Sequence, residues 1–176
     1  MYLKNASNHF GHLRKVFIKY REFSVSLNPD KCFFATNKGK ILGHIISGDG
    51  ITIDPKRVKA ILALSLPNHK KGLQSFLGRI NFVKRFIPSL ATMVKPLISM
   101  LKKYMYFSWT KEGRATFEEI KEVIASTPTL VNPNFDKDFI LYTLSGDSSI
   151  SGVLTQLNGE NTEQPLTFFS EGFKEL

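Results

Sequence analysis

Apolar residues recur along this chain with more than one period, and the changes of period mark out its elements. Between Leu73 and Pro88, in LQSFLGRINFVKRFIP, they repeat at helical spacing. Leu73, Phe76, Leu77, Ile80, Val83 and Ile87 share one arc of a wheel that turns about 100° per residue. Such an arc is the face a helix turns toward a core. Roughly opposite lies a second stripe, Lys71, Gln74, Gly78, Asn81 and Arg85, which mixes cations and amides with a glycine. Glycine inside a helix costs about 1 kcal/mol relative to alanine. Periodicity leaves two readings of it: a solvated face carrying a chance glycine, or a face along which a partner comes close. Cations and amides on that face suit a nucleic acid.

The other elements follow from the same patterns. Ser7 or Asn8 is a candidate cap for a helix with Phe10, Leu13, Phe17 and Tyr20 at helical spacing. His9 and His12 stand one turn apart on it, but no carboxylate or thiol accompanies them, so they read as surface residues. From Phe23 to Phe34, FSVSL and CFF suggest two short strands around an Asn28-Pro29 turn. Lys40–Ser47 reads as one strand, in which Gly43 implies a bulge, a sheet edge or a close backbone approach. Gly48-Asp49-Gly50 then returns the chain into ITI as a hairpin. Asp54-Pro55 places a cap before a proline at the first helical position, and that helix ends before Leu66-Pro67. A second helix starts near Asn68 and runs to Pro88; a third runs from about Leu90 to Lys103, with a kink at Pro96. Thr110 opens a helix with Phe117, Ile120 and Ile124 on one face. Pro128 and Pro133 mark a boundary, after which DFILYTLSGDSSISGVLTQ reads as strand, turn and strand.

Charge divides the chain in two. The net charge of +9 comes from a basic block, residues 1–103, with 19 Lys and Arg against 4 Asp and Glu, and an acidic one, residues 104–176, with 5 against 11. The basic block suits a polyanion, with nucleic acid the first candidate and a membrane surface the weaker one. The single cysteine, Cys32, allows no internal disulfide and no zinc cluster, and in its CFF run it reads as a buried thiol. No apolar run is long enough to span a bilayer and the N-terminus lacks a signal-peptide pattern, so the expectation is an intracellular protein, cytoplasmic or nuclear.

Gln74, Gly78 and Phe82, one turn apart, resemble the Gln–Gly–aromatic track on the thumb helix of retroviral reverse transcriptases, which follows the minor groove of the primer–template duplex. The wider run SFLGRINFVKRFIPSLATMVKPLISMLKK is still more similar to the thumb of Ty3/gypsy-type retrotransposon polymerases. LGH at Leu42–His44 resembles their primer-grip strand, FLGH, and LNPDKCFF their LNPKKCEF. FSWTKEGRATFEEIK resembles the FxWTxE…AFxxLK tether between thumb and ribonuclease H. From Phe139 to Gln156 the chain follows the pattern FILxTDASxxGIGAVLxQ, matching at Phe139, Ile140, Leu141, Thr143, Ile150, Val153, Leu154 and Gln156.

The resemblance implies an α+β chain made of the end of a palm sheet (1–53), a three-helix thumb (54–105), a tether (106–135) and the opening strands of a ribonuclease H-like domain (136–176). It implies that Gly43, His44, Lys71, Gln74, Gly78, Asn81, Phe82 and Arg85 contact an RNA–DNA or DNA duplex. The missing palm and fingers of a parent polyprotein are a further possible partner, and no membrane is. The intact family enzyme works with paired magnesium ions held by carboxylates. In this chain the aspartate of the ribonuclease H pattern falls on Leu144, Asp147 matches a non-catalytic position, and no adjacent aspartates occur to supply the polymerase pair. The expectation is therefore a fragment or degenerate copy that holds a duplex, binds no metal itself and catalyses nothing. The alternatives are a noncatalytic interaction scaffold of retroelement origin and a relic without function.

Overall fold

A computed structural model describes residues 9–32, 36–102 and 106–173. The chain separates into two compact units, residues 1–36 and 37–176. In the first, α1 (His9–Glu22) forms where the apolar spacing predicts it, with its Lys19 ammonium 2.7 Å from Glu22. The caps expected at Ser7 or Asn8 lie outside the described residues. The strand expected at FSVSL does not form. Ser24 takes φ 53°, and the amides of Val25 and Ser24 turn back to the carbonyls of Tyr20 and Arg21. That pairing closes a helix C-terminus, here with serine in the left-handed position that glycine usually takes. Phe23 to Leu27 are thereby spent on a helix end and an exposed segment. A short 3-10 turn, Pro29–Lys31, follows, capped by the Asn28 side chain accepting from the Asp30 amide. Cys32 is half-buried, less than the sequence suggests, and Phe33 and Phe34 lie outside the described residues.

The second unit opens with an antiparallel sheet of β1 (Lys38–Ile41), β2 (His44–Ser47) and β3 (Gly50–Ile53). The single strand expected over Lys40–Ser47 is broken by a turn at Leu42-Gly43, whose φ values of 49° and 77° are those of a type I′ hairpin. Gly43 is thus a turn residue, not a strand residue. The β2–β3 hairpin forms as expected over Gly48-Asp49. Gly50 has φ 138°, and a side chain there would meet the Leu130 carbonyl oxygen at 2.2 Å. Glycine is required because Leu130 crosses that close: it exchanges both backbone hydrogen bonds with Ile51, at 2.7 and 3.0 Å.

Helices α2 (Pro55–Leu62), α3 (Lys70–Phe82), α4 (Leu90–Met93), α5 (Lys95–Ser99) and α6 (Lys111–Ala125) follow. α2 starts on its Asp54 cap, and α6 on Thr110, whose hydroxyl accepts from the Gly113 amide at 2.9 Å. α3 stops before Pro88 is reached. Proline disfavours helical backbone at Ile87, which is extended at φ −113°, ψ 117°, and the turn between tightens to 3-10 geometry over Lys84–Phe86. The third helix expected over Leu90–Lys103 is two short ones. Pro96, in the first turn of α5, has no amide to give to the preceding turn, so α4 ends at Met93. The apolar arc read from the sequence is the core: Leu73, Phe76, Ile80, Val83 and Ile87 are buried, joined by Ile61, Phe86 and Leu97. α6 and Leu130 complete the same core through Phe117, Ile120 and Ile124. Phe76 and Phe117 sit 4.4 Å apart between ring centroids, and the Trp109 indole donates to the Pro67 carbonyl at 2.6 Å.

A second antiparallel sheet, β4 (Ile140–Ser145), β5 (Ser149–Leu157) and β6 (Glu163–Gly172), ends the unit. Its buried Ser149 hydroxyl meets Thr92 at 2.8 Å, and the Ala91 amide donates to the Ser170 hydroxyl at 3.0 Å, fixing the sheet to α4. Gln156, also buried, exchanges hydrogen bonds of 2.8 Å with the Asn134 backbone in both directions, tying β5 to the segment before β4. The architecture is α+β, with two three-stranded antiparallel sheets around a helical core.

Candidate nucleic-acid interface

The polar stripe of α3 is exposed along its length: Lys71, Gln74, Gly78 and Asn81 all face outward. A methyl group placed on Gly78 would meet nothing within 4 Å, so no neighbour among the described residues demands glycine there. Arg85 is exposed as well, but it belongs to the 3-10 turn rather than to α3 itself.

The other three residues of the site cluster at one end of α3. The His44 ring stacks on Phe82 and Phe86, with centroids 4.9 and 5.5 Å away and planes within 12° and 20° of parallel. Phe82 is half-buried in this stack. The guanidinium of Arg57, from the first turn of α2, lies 3.8 Å from the Phe82 ring centroid. Gly43 stands beside that guanidinium, where a side chain would meet its Nε and Nη2 at 2.9 Å. The Gly43 carbonyl accepts from the Asp54 amide at 3.2 Å, and the Asp54 carboxylate pairs with Lys40 and caps α2 through the Lys56 amide. Those contacts, Lys40 first, hold the Asp54 carboxyl below the usual aspartate range. The hairpin turn, the α2 N-terminus and the end of α3 thus form one connected unit.

Arg57 is the residue that the sequence pattern passes over. A signal for it exists. Lys56 and Arg57 occupy the first turn of a helix, where the macrodipole disfavours cations, so a compensating contact is to be looked for.

The surroundings of the His44 ring disfavour its protonated form. Burial lowers its pKa from the ordinary value, and the charges of Arg85 and Arg57 lower it further; its Nε2 is buried without a hydrogen-bond partner. The unfolded chain therefore takes up its proton at higher pH than the folded chain does. The stability contributed by the neutral ring is complete above the ordinary histidine range and is lost as the pH falls through that range toward the lowered value. The melting temperature is expected to drop as the pH falls through and below the ordinary histidine range, and His44→Phe, which keeps the stack without a titrating nitrogen, is expected to flatten that drop. An equally steep drop in His44→Phe would place the titration elsewhere.

Leu144, at the position of the expected metal-binding aspartate, is exposed on β4 and lines an open cleft of about 200 Å³ with Pro88, Tyr142, Gly152, Val153 and Phe168. A leucine offers no ligand atom. Among the described residues no three His, Cys, Asp or Glu side chains are grouped so as to hold a metal ion. The residues at this position do not fit magnesium. Nor does any helix among the described residues have the length and apolarity to cross a membrane.

Comparison with known proteins bears on the surface as a whole. Residues 109–176 match the family described as the RNase H-like domain found in reverse transcriptase. Across 93% of its length, the chain is 35% identical to the retrovirus-related Pol polyprotein from transposon 297 of Drosophila melanogaster. Across 95% it is 30% identical to the transposon Tf2-3 polyprotein of Schizosaccharomyces pombe. The chain is homologous to the reverse transcriptase region of Ty3/gypsy-type retrotransposon polyproteins. It spans only 15% and 12% of the length of those two relatives. The fold agrees with retroviral reverse transcriptases. Solved foamy viral protease–reverse transcriptases superpose on 99% of this chain, with TM-score 0.76 for the complex with dsDNA and 0.74 for that with RNA/DNA hybrid. Each is 22% identical to it, and the match covers 36% and 24% of those chains.

Proposed function

We propose that this Ty3/gypsy-type chain holds a nucleic-acid duplex, a primer–template of RNA–DNA or DNA, and performs no chemistry on it. In this reading residues 1–53 are the end of a palm, 54–105 a thumb, 106–135 a tether and 136–176 the opening of a ribonuclease H-like domain. Lys71, Gln74, Gly78, Asn81 and Arg85 face the duplex, and the Gly43–His44 turn, docked on Phe82, extends the same surface. The observation that carries the reading is the open α3 face: a glycine that no neighbour among the described residues requires, flanked by exposed amides and cations. The basic half of the chain supplies the long-range attraction. The solved relatives whose fold it shares were captured on dsDNA and on RNA/DNA hybrid, which suits this surface. Leu144 and the absence of an Asp-Asp pair from the sequence support the lack of catalysis.

The test uses the whole chain, because α6 and Leu130 share one core with α3 and cannot be removed from it. Affinity for a DNA duplex is expected to fall with salt, by a slope of about 0.9 for each phosphate contacted. With magnesium added, neither primer extension nor cleavage of RNA in a hybrid is expected. Binding that ignores salt sinks the duplex reading, and capture of a protein partner without any duplex binding would favour the scaffold. Magnesium-dependent turnover that survives repurification sinks the second half of the proposal.

A further inference from the structure

We propose that Arg57 is a positioning residue of this interface, one that clamps the Leu42–Gly43 turn to α3, and not a phosphate ligand. The inference rests on the duplex-holding reading for its functional consequence, but the clamp is a property of the chain alone. The guanidinium lies 3.8 Å from the centre of the Phe82 ring and beside Gly43, where an added Cβ would meet Nε and Nη2 at 2.9 Å. A planar, delocalised cation suits such a slot, and a lysine ammonium, a compact and strongly hydrated point charge, does not. The turn needs the support. Leu42 sits at φ 49°, a conformation that costs an L side chain free energy and persists only where the surroundings impose it. Gly43 in turn connects through its carbonyl to the Asp54 amide at the head of α2. Arg57, Gly43 and Phe82 thus fix where the hairpin sits relative to the α3 stripe. A cation already engaged with a ring is a poor counterion for a phosphate; Lys71 and Arg85, both exposed, are better placed for that.

Arg57→Lys separates the two roles because it keeps the charge and loses the plane. If Arg57 positions the turn, Arg57→Lys binds a DNA duplex about tenfold more weakly at every salt concentration, the scale of one half-buried cation–π contact, with the salt slope unchanged. If it is a phosphate ligand, Arg57→Lys binds like the parent, while Arg57→Met lowers the slope by about one, and the proposal is overturned. A second readout needs no nucleic acid. Exchange of the Asp54 amide proton, which reports the bond to Gly43, is expected to quicken about tenfold in Arg57→Lys and equally in Phe82→Leu, which removes the ring and leaves every charge in place. The double variant is expected to add little to either single one, since both break the same contact. Unchanged Asp54 exchange in both singles overturns the clamp. Faster exchange in both variants, when the parent chain itself binds no duplex, keeps the clamp and discards the duplex-holding reading instead.

Discussion

Phe76→Ala is expected to cost 3–5 kcal/mol of folding free energy, the range found when a large buried aromatic is truncated. Phe76 is 1% exposed, and its ring meets Phe117 with centroids 4.4 Å apart. Phe117 also packs edge-on against Trp109, so one deletion loosens α3, α6 and the Trp109–Pro67 contact together. The cavity cannot close by a shift of one neighbour, because Leu73, Ile80 and Ile120 around it are fully buried. Domains of this size are stable by only about 5–15 kcal/mol, so the loss is a large share of the total. Denaturant titration reads it as a lower midpoint at unchanged slope. The result bears on organisation as well. Two transitions, with residues 54–105 melting apart from residues 106–135, would contradict the single core seen here, whereas one cooperative transition at lower denaturant agrees with it.

How much of this was legible in advance depended on how local the cause was. Thr110 and Asp54 announce α6 and α2 because a cap acts on amides two or three residues away. The apolar arc of α3 is a property of one helix, and its buried residues follow from spacing alone. The misread points depend on contacts that spacing does not encode. Ser24 ends α1 in a conformation for which glycine is the usual signal. Leu42 opens a type I′ turn without the Asn-Gly that normally announces one, and the residue that packs beside its Gly43, Arg57, is fourteen residues beyond that glycine and in another element. α3 ends at Phe82 because of what Pro88 does to Ile87 and because Phe86 and Ile87 are drawn into the core. β6, over which the sequence patterns predict no element, accommodates Pro165 opposite the register irregularity at Leu154/Thr155. For the site the division is the same. The exposed stripe from Lys71 to Asn81 follows from periodicity, whereas the gathering of Gly43, His44, Phe82 and Arg85 at one end of it is a product of packing.

Gly78→Ala is expected to move stability and affinity in opposite directions. A methyl at Gly78 meets nothing within 4 Å, so alanine adds no clash and brings its better helix propensity, a gain of up to about 1 kcal/mol. If a duplex lies along Gln74, Gly78 and Asn81, the same methyl stands between the helix backbone and the groove, and affinity falls. A longer side chain stands further out, so Gly78→Leu is expected to bind more weakly than Gly78→Ala while remaining folded. Because the loss is steric, it persists at high salt. Lys84→Ala is the contrast. Lys84 is exposed, lies 3.9 Å from Glu171, and sits in the 3-10 turn beyond α3, so its removal deletes one solvated charge. Its effect on binding is expected mainly at low salt, where such a charge is least screened. Melting curves and duplex titrations at two salt concentrations for the three variants decide the matter. Parent-like binding by both Gly78 variants would leave that glycine a tolerated helix residue, and the duplex would then have to lie on some other face of the chain.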